Sequence, residues 1–145
     1  MIKELPEGLQ LLASYYLAGQ RDSARAVGHR LLLLRPLANR IGTVAFVFAR
    51  SGRRGEAATL LAQLEAMPAT TWSLNAGLVL AYTGLGDTTR AIEALERAAA
   101  GGGEQLQAFW QLLDHSLPRS ARVVKALQRY HVDTANVHLA PASPR

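Results

Sequence analysis

An all-α fold is the prediction for this 145-residue sequence. Apolar residues recur at helical spacing: Leu74, Leu78 and Tyr82 follow one another every four residues with Ala81 beside them, which gives one apolar helix face. Glycines and prolines punctuate the chain at fairly regular intervals, so the helices between them are short. No run of any length alternates apolar with polar residues, as a half-buried strand would. Hydrophobic residues make up 49% of the chain, enough for a domain of this length to bury a core.

The stretch Trp72 to Ala100 shows the pattern most fully. Thr70 or Thr71 is placed to cap the helix carrying Leu74, Leu78 and Tyr82. Gly84 and Gly86 are expected to end it, since glycine accepts the left-handed conformation at little cost. Asp87 or Thr88 then caps a second helix with Ala91, Leu95 and Ala98 on one face, and Gly101 to Gly103 stop it. Small alanines let the two helices approach closely. This arrangement of Leu78, Tyr82, the Gly86-Asp87 turn, Ala91 and Leu95 resembles one tetratricopeptide repeat, a helix–turn–helix unit of 34 residues.

The same resemblance sets the remaining elements in order. It places three repeats with starts at Leu5, Ala38 and Trp72, periods of 33 and 34, over residues of about 5–37, 38–71 and 72–103. In the first, Leu11 and Tyr15 take the leucine and aromatic positions, Gly19 the turn, Ala24 the small contact and Pro36 the closing proline. Gly28 stands where a bulky residue is expected, which weakens that repeat or lets a neighbour pack close. In the second, Ile41, Val44, Ala45 and Phe48 match the first helix, and Gly52, Ala57 and Leu61 match the turn and second helix. In the third, Asn75 and Val79 depart from the pattern. Beyond Gly103, residues Glu104 to His115 read as a helix with Leu106, Phe109, Trp110 and Leu113 apolar. Leu117-Pro118 breaks it, Ser116 or the following turn caps the next, and Val123, Val124, Leu127 and Tyr130 form a last stripe. Such atypical terminal helices cover the open end of a repeat array, so residues of about 104–131 are expected to cap it. Residues 1–133 then form one domain and 134–145 a flexible tail. A right-handed superhelix of about three repeats plus C-terminal capping helices is the fold that the resemblance implies. The C-terminal third is also loosely similar to tetratricopeptide sensor regions of multidomain bacterial regulators, through Arg119-Ser120, Val123 and Ala126-Leu127. Length and repeat number resemble the small tetratricopeptide chaperones of bacterial secretion systems.

Charge is unevenly spread. Residues 1–54 hold nine basic and three acidic groups, residues 55–114 two and seven, and residues 115–145 five and one, giving blocks of +6, −5 and +4. Alternating blocks point to different surfaces for different partners rather than to one basic face for nucleic acid. Leu31 to Leu34 are four consecutive leucines, more than one helix face can bury, and only Met1 to Glu4 precede the first repeat. An N-terminal edge that pairs with a second copy, or with upstream repeats, is therefore an expectation.

Chemistry-bearing patterns are missing. With no cysteine, disulfides and thiolate metal sites are excluded. His29, His115, His131 and His138 form no ligand pair at helical spacing, and His29 beside the leucines reads as an ordinary, partly buried histidine. No phosphate-binding loop, dinucleotide fingerprint or nucleophile elbow occurs. No catalytic, cofactor-binding or metal residues are expected. The N-terminus lacks the apolar core of a signal peptide and no apolar run is long enough to span a membrane, so a cytoplasmic protein without membrane insertion is expected.

A binding role is what the tetratricopeptide resemblance implies. The first helix of each repeat would line a concave face, with Leu9, Ala13, Tyr16 and Leu17 from the first repeat, Asn39, Gly42, Phe46, Ala49 and Arg50 from the second, and Ser73, Ala76, Leu80 and Thr83 from the third. Members that grip the acidic ends of heat-shock chaperones line this face with Lys, Arg and Asn, and only Asn39 and Arg50 remain here. The expected groove is mostly apolar, anchored by Tyr16, Phe46 and Leu80, and suits an apolar or amphipathic peptide. A non-catalytic protein- or peptide-binding adaptor follows, with a self-associating scaffold as the alternative and an RNA-binding repeat behind both.

Overall fold

The structure, a computed structural model, describes residues 7–100, 110–113, 116–118 and 120–129. Every element in these residues is an α-helix: α1 Glu7–Leu17, α2 Arg21–Leu31, α3 Ala38–Arg50, α4 Arg54–Glu65, α5 Leu74–Leu85, α6 Thr88–Ala100, the single turn α7 Trp110–Leu113, and α8 Ala121–Arg129. Short turns join α1 to α2, α3 to α4 and α5 to α6, and each pair packs against itself as a hairpin. A glycine stands in the left-handed region at each of these turns, with φ of +76° at Gly19, +82° at Gly52 and +84° at Gly86. A side chain there would strain the backbone, so glycine is the residue that lets the helix reverse.

The first helices of the hairpins stand side by side, α1 against α3 and α3 against α5, while α2 packs on α3, α4 on α5 and α8 on α6. The contact between α3 and α5 is the closest. Gly42 faces the backbone of Gly77, and Gly77 faces the carbonyl of Ala38, so near that a methyl group on either glycine would collide with main chain. The two helices run parallel. Asn39 N–H near the start of α3 donates to Ser73 Oγ just before α5, at 3.1 Å. At the far ends, the Arg50 guanidinium donates to the Thr83 carbonyl at 3.2 Å. Close approach explains why Ala38, Asn39, Ile41 to Ala49, and Ala76 to Gly84 are all buried, whichever helix face they occupy.

Several local expectations change. Gly84 lies inside α5 rather than at its end, pressed against the backbone of Phe46; Gly86 is the terminator. Neither Thr70 nor Thr71 caps α5. The residue before it is Ser73, a non-glycine at φ 61°, whose hydroxyl serves α3 instead. Asp87 does cap α6, its Oδ1 accepting from the Arg90 N–H at 3.2 Å. Gly28 lets a neighbour pack close, and the neighbour is the Phe48 ring. At the C-terminal side, Ser120 Oγ caps α8 by accepting from Val123 N–H at 3.3 Å, while Val123, Ala126 and Leu127 are the buried stripe. The Gly101–Gly103 stop, the helix start at Glu104, Tyr130 and the 134–145 tail lie outside the described residues.

Candidate functional site

The residues expected to line the concave face are only partly brought together. Tyr16, Phe46, Arg50 and Thr83 meet at the C-terminal ends of α1, α3 and α5. Tyr16 stands edge-on to Phe46, ring centroids 5.5 Å apart and planes at 72°. The Arg50 guanidinium also lies over that ring, 5.3 Å from its centroid, a cation–π geometry. It also donates to the Thr83 carbonyl, and Arg54 donates to the Leu85 carbonyl at 2.8 Å. Two arginines from the second hairpin thus satisfy the last carbonyls of α5, which an isolated helix would leave open.

A solvent-open apolar groove does not result. Phe46 and Leu80 have no exposed surface, and Leu9, Ala13, Asn39, Gly42, Ala49, Ala76 and Thr83 are buried as well. The glycine-mediated approach of α3 and α5 inters the side chains between them, and Tyr16 and Arg50 cover Phe46 from outside. Of the expected lining, only Tyr16, Leu17, Arg50 and Ser73 reach the surface. Asn39 sits at the opposite end of α3 from Arg50. Two buried polar atoms in this layer, Asn39 Oδ1 and Thr83 Oγ1, have no hydrogen-bond partner.

The exposed apolar side chains are elsewhere. Among the described residues the large ones are Leu11, Leu17, Leu33, Leu34 and Trp72, and all but Trp72 belong to the first hairpin and the loop behind it. In the leucine run, Leu31 is buried and Leu32 half-buried, while Leu33 and Leu34 remain 85% and 55% exposed. Their run ends at a cleft of about 110 Å³ between the end of α2, the following loop, the start of α3 and α4. The sequence signal for this cleft was the leucine run itself; its Leu60 wall and its arginines carry no pattern that would locate it. A second cleft, of about 240 Å³, lies between α6 and α8, with Glu96, Arg122, Lys125 and Arg129 around it. There the Arg122 guanidinium donates from Nε to Glu96 at 3.0 Å, and this bond holds the Glu96 carboxyl below its usual range.

His29 lies further out than expected. Its ring rests against Phe48, centroids 4.9 Å apart, and its Nε2 stands 2.8 Å from Glu56 Oε2, joining α2 to α4. Glu56 also accepts from Arg53 Nε at 2.7 Å. The bond to His29, and then that to Arg53, lower the Glu56 pKa from its ordinary value. Tyr82, by contrast, has its hydroxyl pushed up to about 12, first by burial and then by donating to the Glu65 carboxylate at 2.6 Å. Among the described residues no three His, Cys, Asp or Glu side chains gather as a metal ion would require, and no helix is long and apolar enough to cross a membrane.

These features define, over the described residues, a set of packed helical hairpins with most of the exposed large apolar side chains on the first hairpin and its loop. No protein-family model, no curated protein and no solved structure matches it.

Proposed function

We propose that this chain is a non-catalytic, protein-binding adaptor of the tetratricopeptide kind, and that it docks its partner on the N-terminal hairpin rather than in a concave groove. In this reading the three hairpins are repeats of a right-handed superhelix and α8 covers the last of them. One observation supports the docking edge above others: Leu11, Leu17, Leu33 and Leu34, four of the five exposed large apolar side chains among the described residues, belong to the first hairpin and its loop, whereas Phe46 and Leu80, two of the three anchors expected in the groove, are buried. Exposed large apolar side chains concentrated in one part of a chain are a usual mark of a protein interface.

The test is a comparison of two double variants. Leu33→Glu with Leu34→Glu removes the apolar edge, and both positions are exposed, so melting should be unchanged. Tyr16→Ala with Arg50→Ala strips the surface part of the groove cluster. Quantitative affinity capture from the source cell, with the wild-type chain as reference, should lose its partner with the leucine pair and keep it with the other pair. The reverse pattern returns the site to the concave face. A second reading, self-association, is favoured by the same exposed leucines. Light scattering across a concentration series checks it: a mass that doubles with concentration and stays monomeric in the leucine pair supports a scaffold.

A further inference from the structure

The cleft at the end of the leucine run has a selective chemistry. Leu34, Pro36, Ile41 and Leu60 make it apolar, and Arg35 and Arg40 also line it. An engineered cavity of roughly 150 Å³ accepts a benzene ring, so the 110 Å³ here suits a single aliphatic side chain. Leu33 extends the apolar surface beside it. Arg40 donates one N–H to the Arg35 carbonyl and keeps its remaining donors. Arg35 makes no ion pair with any described residue. The start of α3 adds the positive end of a helix dipole on the same side.

Among the described side chains, free carboxylates are scarce. Asp22 is paired with Arg25, Glu56 with His29 and Arg53, Asp87 with Arg90, and Glu96 with Arg122, while Glu65 accepts from Tyr82. Among the described side chains Glu93 is the one carboxylate engaged in no hydrogen bond or ion pair. The described carboxylates of a second copy are thus mostly neutralised, and a partner with unpaired acids is the better match for two arginines. We infer that the cleft receives a leucine-like side chain from an amphipathic helix of another protein, with acidic residues one turn before and after it set against Arg35 and Arg40. A helix supplies that arrangement because residues three and four apart share a face. This inference rests on the protein-binding reading above and names the partner's chemistry.

Fluorescence anisotropy with two labelled peptides tests it. Each is about 15 residues long, enough for a marginal helix, with a central leucine face; one carries flanking glutamates and the other lysines at the same positions. The glutamate peptide should bind and the lysine peptide should not. Arg35→Glu, at a side chain that makes no ion pair with any described residue, should weaken binding about tenfold, as should Arg40→Glu, while Arg21→Glu at the far end of α2 should change little. Raising salt from about 0.1 M to about 1 M shortens the screening length from about 10 Å to about 3 Å and should weaken the complex. Equal binding of both peptides overturns the acidic partner and leaves the protein-binding reading standing. Binding of neither peptide overturns the inference. Sedimentation of the same samples then separates the cause: co-sedimentation with anionic phosphatidylserine vesicles makes the edge a membrane surface and ends the protein-binding reading too, whereas a concentration-dependent dimer abolished by Leu34→Glu assigns the cleft to a second copy.

Discussion

Phe46 shows what one side chain decides. Its ring is fully buried between Tyr16, the Arg50 guanidinium and the backbone of Gly84, so its removal leaves a cavity rather than an emptier groove. Phe46→Ala should cost about 3–5 kcal/mol in urea unfolding. Phe46→Glu buries an unpaired charge and should abolish the folded circular dichroism signal; a folded Phe46→Glu would mean that the ring is not in the core. Thr83 sits in the same layer with a buried hydroxyl that has no partner. Such a group carries a desolvation cost of about 1–3 kcal/mol, so Thr83→Val should raise the denaturation midpoint. A lower midpoint would show that the hydroxyl is satisfied in solution. Ala91, fully buried, should lose about 1–3 kcal/mol on replacement by Gln, because a larger side chain overpacks the contact between α5 and α6.

At the scale of elements, the α3–α5 contact sets the architecture. Gly42 and Gly77 bring two backbones into contact, and a methyl group on either meets main chain that has no rotamer to move. Gly42→Ala or Gly77→Ala should therefore destabilise by about 1–3 kcal/mol, despite the better helix propensity of alanine, which is worth about 1 kcal/mol the other way. An increase in stability for either variant would mean that the helices stand further apart. Ser73 belongs to this junction as well. It accepts an orphan N–H of α3 while holding a left-handed backbone. Ser73→Ala should lose about 1 kcal/mol, as a lost cap does. Ser73→Gly gives up the same cap but relaxes the backbone, and so should cost less.

For the whole molecule, pH acts through pairs that join hairpins. Glu56 bridges α2 and α4, and Glu96 bridges α6 and α8. Both carboxyls sit below their ordinary pKa of 4.5 in the folded chain. Their contribution is present above pH 4.5 and is lost as pH falls through the depressed values, because the unfolded state then binds more protons. Tyr82 works at the other end. Its pKa rises from 10.0 to about 12 on folding, so its contribution is full below pH 10 and is lost as pH rises through about 12. Melting temperature plotted against pH should show a plateau between these limits. Tyr82→Phe should flatten the alkaline decline, and Glu56→Gln the acid one; an unchanged curve in both would separate these pairs from stability.

The sequence by itself determined the helical class, the positions of the turns and the hairpin partners. Those features are local: helical spacing of apolar residues, glycines that adopt positive φ at 19, 52 and 86, and an aspartate that caps its own helix at 87 all act within a few residues. Only the tertiary structure decided which face of a helix stays open. Phe46, Leu80 and Thr83 carry the same helical spacing whether they face a groove or a neighbour. Their burial depends on how close α3 and α5 come, which is set by glycines 35 residues apart, Gly42 and Gly77. The leucine run announced its own excess, since four consecutive leucines cannot share one face. Its conversion into a cleft needed Leu60 from α4 and Arg40 from α3, a meeting that no local pattern encodes.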